Sequence, residues 1–398
     1  MIPSIRQAFN ASFSKEKYQA FLDDLNSHHP GDIEFRVAET AIYVPKDFKN
    51  KMLEACEHIV DILVSPGFKE NTAAAIPAGL TVPNEDAHTN FIAFDFGICV
   101  NEAGEYEPQL IEMQGFPSLF GYEVLLDDVF SKHFPPPPGF SSYLGGLDRE
   151  SYSKVLKELI LGSHDPAEVI LLEIFPHQQK TRIDFYCTSE IAGIPVVCLT
   201  ELTREGKKLF YEKDGKKLQV KRIYNRVIFD ELFQQSEEVK KKGQLFFEDL
   251  EVEWCPHPNW FYRISKYTIP FIKHPFVPPT WFLHEVKELP ADLQNYVLKP
   301  LFSFAGQGVV IDITPADIEK IKDPENWILQ RKVKYADVIE TPDIPAKAEI
   351  RIFYFWKNGD PRPFPANNLG RLSKGKMIGV RYNKDKEWVG GSFCYFEK

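Results

Sequence analysis

The chain has 398 residues and a mass of 45.8 kDa, more than one hydrophobic core ordinarily holds, so two or three lobes are expected. Apolar residues make up 43% of it, which excludes wholesale disorder. The formal net charge of -10 argues against nucleic acid or anionic lipid as the main partner, because an acidic protein is repelled by both.

The lack of a recognisable targeting signal and the spacing of the cysteines predict a cytoplasmic protein. Residues 1–14 lack the basic patch and apolar run of a signal peptide, and no apolar stretch reaches the roughly 18 residues of a membrane span. The six cysteines are dispersed without a C-x-x-C pair. We therefore expect free thiols in a reducing compartment and no structural zinc.

The first segment, residues 1–140, is predicted to contain a helix and two strands. Lys49–Val64 has apolar residues at helical spacing. Asn90–Val100 and Gln109–Met113 read as strands joined by an acidic turn. The proline run Pro135–Pro138 ends regular structure and marks the boundary.

The next segment, residues 150–235, is predicted to be a small parallel α/β domain. A buried strand at Val169–Phe175 precedes a helix at Gln178–Ala192, and a second strand follows at Ile194–Thr200. Two hairpin-like pieces come next, at Lys207–Val220 and Lys221–Phe229.

The last segment, residues 240–398, alternates strands and turns, so we predict an α+β lobe with a largely antiparallel sheet. Its predicted strands are YVLKP (296–300), GVVIDI (308–313), WILQRKV (327–333), AEIRIFYFW (348–356) and MIGVRYN (377–383), with a helix at ADIEKI (316–321). The fold class predicted for the whole chain is a mixture of α/β and α+β.

The strongest local signal for chemistry is the stretch YVLKPLFSFAGQGVV. Its strand ends at Lys299, and a loop of small residues then leads into a second strand. Such a loop lets backbone N–H groups approach an anion, and the lysine adds a positive charge. The candidate phosphate-binding residues of this loop are Ser303, Gly306, Gln307 and Gly308. A glycine hairpin beside a surface lysine explains the same pattern.

WILQRKV begins as an apolar strand and turns abruptly polar. This change suits a hinge whose backbone bonds an adenine edge, with Gln330 and Lys332 pointing inward. An amphipathic strand with a solvated basic end is the alternative.

Together, a K-P strand end, a glycine loop and LQRKV resemble the ATP-grasp superfamily. In the usual order of that family an E-x-N metal strand follows the hinge, but here only Glu349 and the pair Asn367-Asn368 stand downstream. Asp95 and the IEMQ stretch upstream look like the displaced acidic set. Circularly permuted ATP-grasp proteins such as glutathionylspermidine synthetase have this order.

Further stretches line up with the permuted family in sequence order. They are PHQQKTRIDF, KRIYNRVIFDEL, the lysine-bearing helix RISKYTIPFI and IGVRYN. The resemblance therefore implies a circularly permuted ATP-grasp fold that includes a small pre-ATP-grasp domain. The strands of the first segment would pair into the sheet of the last lobe.

The resemblance also implies roles for individual residues. It makes Asp95, Glu112 and Gln114 ligands of Mg²⁺, although Gln114 stands where the family has asparagine. Phosphate charge would be neutralised by Lys266, Lys299 and Lys332. Arg381 would stabilise the transferring phosphoryl group or an acyl phosphate, and Arg381 and Arg351 are the candidate catalytic residues. Ala93, where the family has arginine, indicates either a different acceptor or compensation by Arg351, Arg362 or Arg371. The basic stretch NNLGRLSKGK (367–376) is either a lid or a surface turn.

The function implied is ATP-dependent ligation of a carboxylate to an amine or thiol through an acyl phosphate, with ATP and Mg²⁺ as cofactors. The substrates would be small molecules or peptides. A phosphotransferase that stops after phosphorylation, and a nucleotide-binding protein without turnover, remain as alternatives.

Overall fold

A computed structural model of the chain describes residues 2–302, 308–375, 378 and 383–398. Its α-helices are α1 (Pro3–Ser12), α2 (Lys15–His28), α3 (Lys46–Leu63), α4 (Phe68–Asn71), α5 (Phe120–His133), α6 (Arg149–Leu161), α7 (Arg182–Ala192), α8 (Phe229–Leu232), α9 (Glu237–Gly243), α10 (Trp260–Arg263) and α11 (Pro315–Glu319). Its strands are β1 (Ile42–Val44), β2 (Phe91–Val100), β3 (Tyr106–Gln114), β4 (Phe140–Ser141), β5 (Val169–Glu173), β6 (Val196–Cys198), β7 (Thr203–Glu205), β8 (Lys208–Lys213), β9 (Lys216–Val220), β10 (Arg222–Asn225), β11 (Glu253–Cys255), β12 (Thr280–Phe282), β13 (Tyr296–Pro300), β14 (Trp327–Arg331), β15 (Lys347–Phe355), β16 (Phe364–Ser373), β17 (Gly390–Ser392) and β18 (Cys394–Glu397).

The largest sheet is antiparallel and has the strand order β17-β16-β15-β2-β3. It joins chain regions that lie far apart, because β2 and β3 of the first segment pair with β15 of the last. Both the antiparallel sheet of the last lobe and its pairing with the strands of the first segment are therefore confirmed. A smaller sheet, β1-β18-β4, brings the end of the chain against the first segment.

Helices cover one face of the five-stranded sheet and part of the other. The helix predicted at Lys49–Val64 is confirmed as α3, whose apolar side packs on Phe94, Phe96 and Ile352. On the opposite face, α5 and α6 pack on Phe353 and neighbouring apolar residues. Since successive side chains alternate between faces, Asp95 shares this second face but lies toward the other end of the strands. The half of that face on which α5 and α6 do not pack holds the candidate site.

The predicted parallel sheet is confirmed, with the order β11-β10-β5-β6. Its edge strand β11 comes from residues 253–255, beyond the predicted boundary at 235. Lys207–Val220 contains a hairpin, as predicted. The prediction of a second hairpin at Lys221–Phe229 is wrong. In the structure β10 pairs in parallel with β5 and β11 and does not fold back on a neighbouring strand in sequence.

A three-stranded antiparallel sheet with the order β12-β14-β13 carries the predicted hinge and is named the hinge sheet. The expected strand GVVIDI is reduced in the described residues to a bridge between Val310 and Leu298. Residues 367–373 of the predicted loop NNLGRLSKGK belong instead to β16. The expected helix in RISKYTIPFI is a 3-10 segment, Lys266–Phe271, that contains Pro270.

Asp184 joins the parallel-sheet domain to the main body by capping α5 from another helix. Its Oδ1 accepts hydrogen bonds from the backbone N–H groups of Gly121 and Tyr122 at 2.9 and 3.0 Å, and its Oδ2 accepts one from Leu119 at 2.9 Å. The side chain is fully buried on α7. Burial raises the pKa of Asp184, although the three N–H groups oppose that shift.

We expect Asp184→Ala to lower the free energy of unfolding by about 2–3 kcal/mol, because three N–H groups at a buried helix terminus lose their acceptor. Urea unfolding followed by circular dichroism measures this. The matched control is Asp148→Ala, which removes the exposed cap of α6 and should cost only about 1 kcal/mol. Equal losses in the two variants would contradict the special role of Asp184.

Candidate functional site

A row of charged side chains lies on the part of the five-stranded sheet that α5 and α6 do not cover. Asp95 on β2 lies opposite Arg351 on β15 and opposite Glu112 on β3. Two residues before Arg351, Glu349 lies opposite Arg371 on β16. Cross-strand neighbours on one face stand about 5 Å apart, so four adjacent strands supply one continuous cluster.

Ion pairs fix the centre of this cluster. Arg351 binds Asp95 in a bidentate fashion, with its Nε 2.6 Å from Oδ1 and its Nη2 2.7 Å from Oδ2. Arg371 bridges two carboxylates, since its Nη2 lies 3.0 Å from Asp95 Oδ2 and 2.9 Å from Glu349 Oε2. Burial by itself raises the pKa of Asp95. The positive charges of Arg351 and Arg371 lower it by more, so the pKa lies below its usual range. Asp95 is therefore a buried, ionised carboxylate held by two guanidinium groups.

Tyr335 closes this cluster from the chain segment that follows the hinge sheet. Its hydroxyl donates to Glu349 Oε1. The tyrosine ring crosses β2 at Gly97, where an added Cβ would lie 2.8 Å from the ring. A glycine is thus required at this position for Tyr335 to reach Glu349.

Lys299 connects the hinge sheet to the five-stranded sheet. Its Nζ donates to the backbone oxygen of Ile111 on β3 at 3.2 Å and to Oε1 of Gln330 on β14 at 2.7 Å. Gln330 is itself held by Thr280, which accepts from its Nε2 at 3.0 Å. Burial lowers the pKa of Lys299 to about 8, although Glu112 and Glu349 oppose that shift.

Lys266 approaches the same place from the 3-10 segment. Its Nζ lies 3.6 Å from Glu112 Oε1, and the residue is buried. The structure places Lys266 and Lys299, both predicted to bind phosphate, near Glu112, which was predicted to bind Mg²⁺. Their nearness follows from the pairing of β2 and β3 with the last lobe.

Other predicted residues lie apart or are not described. Lys332 donates to the backbone oxygen of Gln294 at 2.6 Å and lies 3.3 Å from Asp312, so it does not join Lys299. Gly308 has a φ of +73°, which favours glycine, and lies beside Pro300. The predicted residues that lie outside the described ranges are Ser303, Gly306, Gln307 and Arg381.

The predicted Mg²⁺ ligands do not fit a metal site as a set. Gln114 and Glu112 share one face of β3, but both oxygens of Asp95 already accept hydrogen bonds from arginines. In the described part of the chain, no group of three or more His, Cys, Asp or Glu side chains is arranged to hold a metal ion. The assignment of Asp95 as a metal ligand is therefore corrected to that of an ion-pair partner.

The downstream alternatives also have other roles. Glu349 pairs with Arg371 and Tyr335. Asn368 binds the backbone of Ser142 and Cys394 and so stabilises the fold. Arg362 pairs with Glu57 on α3 and lies outside the cluster.

Sequence reasoning missed a second polar group at the carboxyl end of β10. Arg226 donates from its Nη1 to the backbone oxygen of Pro117 at 2.8 Å, and its guanidinium lies 4.7 Å from the centre of the Phe116 ring. Its buried Nε has no partner in the described structure. The strand order reverses between β5 and β10, which is where ligands bind in open α/β sheets. The available signal was the polar pair formed by Asn225, the last residue of β10, and Arg226 directly after it.

Comparison with known proteins identifies a fold. A glutathione synthetase-like effector, GSS30, from Globodera pallida, solved in its apo form, superposes with a TM-score of 0.57, covering 96% of each chain at 12% identity. The fold is glutathione synthetase-like. No protein-family profile matches the chain, and no curated protein matches it. Among the described residues, none of the helices has the length and hydropathy of a bilayer-crossing segment.

Proposed function

We propose that the chain is an ATP-dependent ligase that joins a carboxylate to an amine or thiol, on a circularly permuted ATP-grasp fold. The observation that carries this proposal is the position of Lys299, which bonds both the hinge sheet and β3 and lies near Glu112 and Lys266. Two lysine ammonium groups at the meeting of two sheets suit the phosphates of a nucleotide. The glutathione synthetase-like fold supports the same reading.

In the proposed reaction, a carboxylate oxygen of the acid attacks the γ-phosphorus of ATP, and the bond from that phosphorus to the β-γ bridging oxygen breaks. ADP leaves and an acyl phosphate forms. The amine or thiol then attacks the acyl carbon, loses its proton and displaces inorganic phosphate. Little covalent chemistry falls to the protein, so positioning and charge stabilisation supply most of the rate.

Individual residues have distinct parts in this proposal. Lys266 and Lys299 hold phosphate oxygens, and the backbone near Gln330 faces adenine. Arg371 and the predicted Arg381 stabilise charge on the acyl phosphate, and Arg351 positions Arg371 through Asp95, which both arginines bind. Of the predicted metal ligands, only Glu112 and Gln114 remain candidates, so no step is assigned to Mg²⁺. All six cysteines are free thiols, which agrees with the proposed cytoplasmic location.

Thermal melting is the first test. With ATP at about a hundred times its dissociation constant, the native state gains about 2.7 kcal/mol, which should raise Tm by about 3–5 °C. GTP and buffer alone serve as controls. No rise at millimolar ATP would sink the proposal.

The reaction class is then tested by ADP release with pairs of acids and amines or thiols, followed by mass spectrometry. A product with the mass of acid plus acceptor less one water supports ligation. A phosphorylated compound that accumulates as the end product indicates a phosphotransferase instead. ATP binding without ADP release for every pair leaves only the nucleotide-binding part of the proposal.

A further inference from the structure

The cluster is rich in cationic side chains. Four of them face three carboxylates, and a fourth carboxylate, Asp230, lies near enough to Lys266 for their charges to interact. The cationic members are Arg351, Arg371, Lys266 and Lys299, and the carboxylates are Asp95, Glu112 and Glu349. Sites for Mg²⁺ present anionic oxygens with free lone pairs.

Both oxygens of each carboxylate at the centre already have a hydrogen-bond donor. Asp95 accepts two hydrogen bonds from Arg351 and one from Arg371, and Glu349 accepts from Arg371 and Tyr335. Placing a metal ion on Asp95 therefore requires breaking a bidentate arginine pair, which is the strongest type of side-chain ion pair. Of the three carboxylates, Glu112 alone lacks an arginine partner in the described structure.

Arg371 is the exposed member of the network that it forms with Asp95 and Glu349. The side chains of Asp95 and Glu349 are 1% and 7% exposed, whereas that of Arg371 is 38% exposed and that of Glu112, outside this network, is 35% exposed. Within the described part of the chain, the buried Nε of Arg371 has no hydrogen-bond partner. A ligand that reaches this network from solvent thus meets the Arg371 guanidinium before it meets these two carboxylates.

We propose that this cluster binds the phosphates of a nucleotide directly, through Arg371 together with Lys266 and Lys299, without a bridging divalent metal ion. This inference rests on the proposed function, because it assumes that the ligand is a nucleotide. It concerns how the nucleotide binds and not whether the protein turns it over. Guanidinium groups match phosphate geometry and keep their charge, so Arg371 here takes the electrostatic part that a metal ion has in other nucleotide sites.

Isothermal titration calorimetry of the full chain with ATP, in EDTA and in MgCl₂, tests this. We expect dissociation constants that agree within about threefold in the two buffers, a difference well below one power of ten. Affinity at least about tenfold higher with Mg²⁺ would overturn the inference and leave the proposed ligase standing. Absence of binding in both buffers overturns the inference and the proposed function together.

Two further measurements sharpen this test. Titration of the wild-type protein with Mn²⁺ alone, followed by electron paramagnetic resonance, should detect no stoichiometric site; a site that disappears in Asp95→Asn overturns the inference. In EDTA, Arg371→Lys should bind ATP about tenfold more weakly, because an ammonium cannot bridge two groups as a guanidinium does. The control is Arg362→Lys, which lies outside the cluster and should bind ATP as the wild type does.

Discussion

Arg351→Met should lower the free energy of unfolding by about 3–5 kcal/mol, because it removes the bidentate partner of a buried carboxylate. Asp95 is 1% exposed and would keep only its single hydrogen bond from Arg371. The remaining charge cannot be solvated where β2, β15 and β3 meet. Urea unfolding with fluorescence detection at neutral pH measures the loss.

Two companion variants separate this ion pair from general damage to the sheet. Arg362→Met removes an arginine that pairs with Glu57 at the surface, and it should cost no more than about 1 kcal/mol. The double variant Asp95→Leu/Arg351→Met should be more stable than Arg351→Met alone, because an apolar pair replaces an unpaired charge. If the double variant is less stable than the single one, the assigned cause is wrong.

The strands of the site could be predicted because each has a local signal. Phe91–Val100 is almost wholly apolar, as expected for a strand buried on both faces, and Tyr296–Pro300 precedes a glycine-containing stretch of the sequence. The pairing of the strands of the first segment with the sheet of the last lobe could be predicted from the collinear resemblance. The pairing of β2 with β15 explains why carboxylates of the first segment lie near Lys266 and Lys299.

The partners of the charged groups could not be predicted in the same way. Asp95 and Arg351 are 256 positions apart, and they meet only because of the register between β2 and β15. A one-residue shift of that register would turn Arg351 to the other face. Since sequence alone leaves this register open, Asp95 was read as a metal ligand and not as an ion-pair partner.

Errors at the hinge and in the parallel sheet have the same origin. Lys332 follows the end of β14, and its backbone N–H bonds Asn295, which turns its side chain toward Gln294 and Asp312. Lys221–Phe229 was predicted to be hairpin-like, but β10 pairs in parallel with β5 and β11, which lie more than 25 residues away in sequence. In both places long-range pairing overrides the local pattern.

Replacing Lys299 by alanine should weaken ATP binding by about 10–100-fold, because a charge-assisted contact to phosphate is worth about 1.5–3 kcal/mol. Lys299 bonds both Ile111 and Gln330, so the variant also loosens the junction of the two sheets. Calorimetry with ATP measures the affinity. Lys320→Ala, an exposed lysine of the last segment, is the control and should bind ATP as the wild type does.

The pH dependence of ATP binding gives a second test of Lys299. Burial lowers its pKa from 10.5 to about 8, so the ligand-free lysine loses its proton as the pH rises through about 8. The other ionisable side chains that face it are Glu112, Lys266 and Glu349. ATP affinity should fall above this pH, because binding requires the protonated ammonium group. Well above pH 8 the decrease should approach about tenfold for each pH unit. The phosphates of ATP are already ionised there.

Stability without ligand should change in the opposite direction. Since folding lowers the pKa of this base, the unfolded chain binds more protons between about pH 8 and 10.5, and the contribution of Lys299 to stability rises with pH across that window. Lys299→Arg keeps its charge at every pH in this range, so its ATP affinity should be nearly independent of pH. An equal slope in wild type and Lys299→Arg would show that another group controls the titration and that Lys299 does not contact the phosphates.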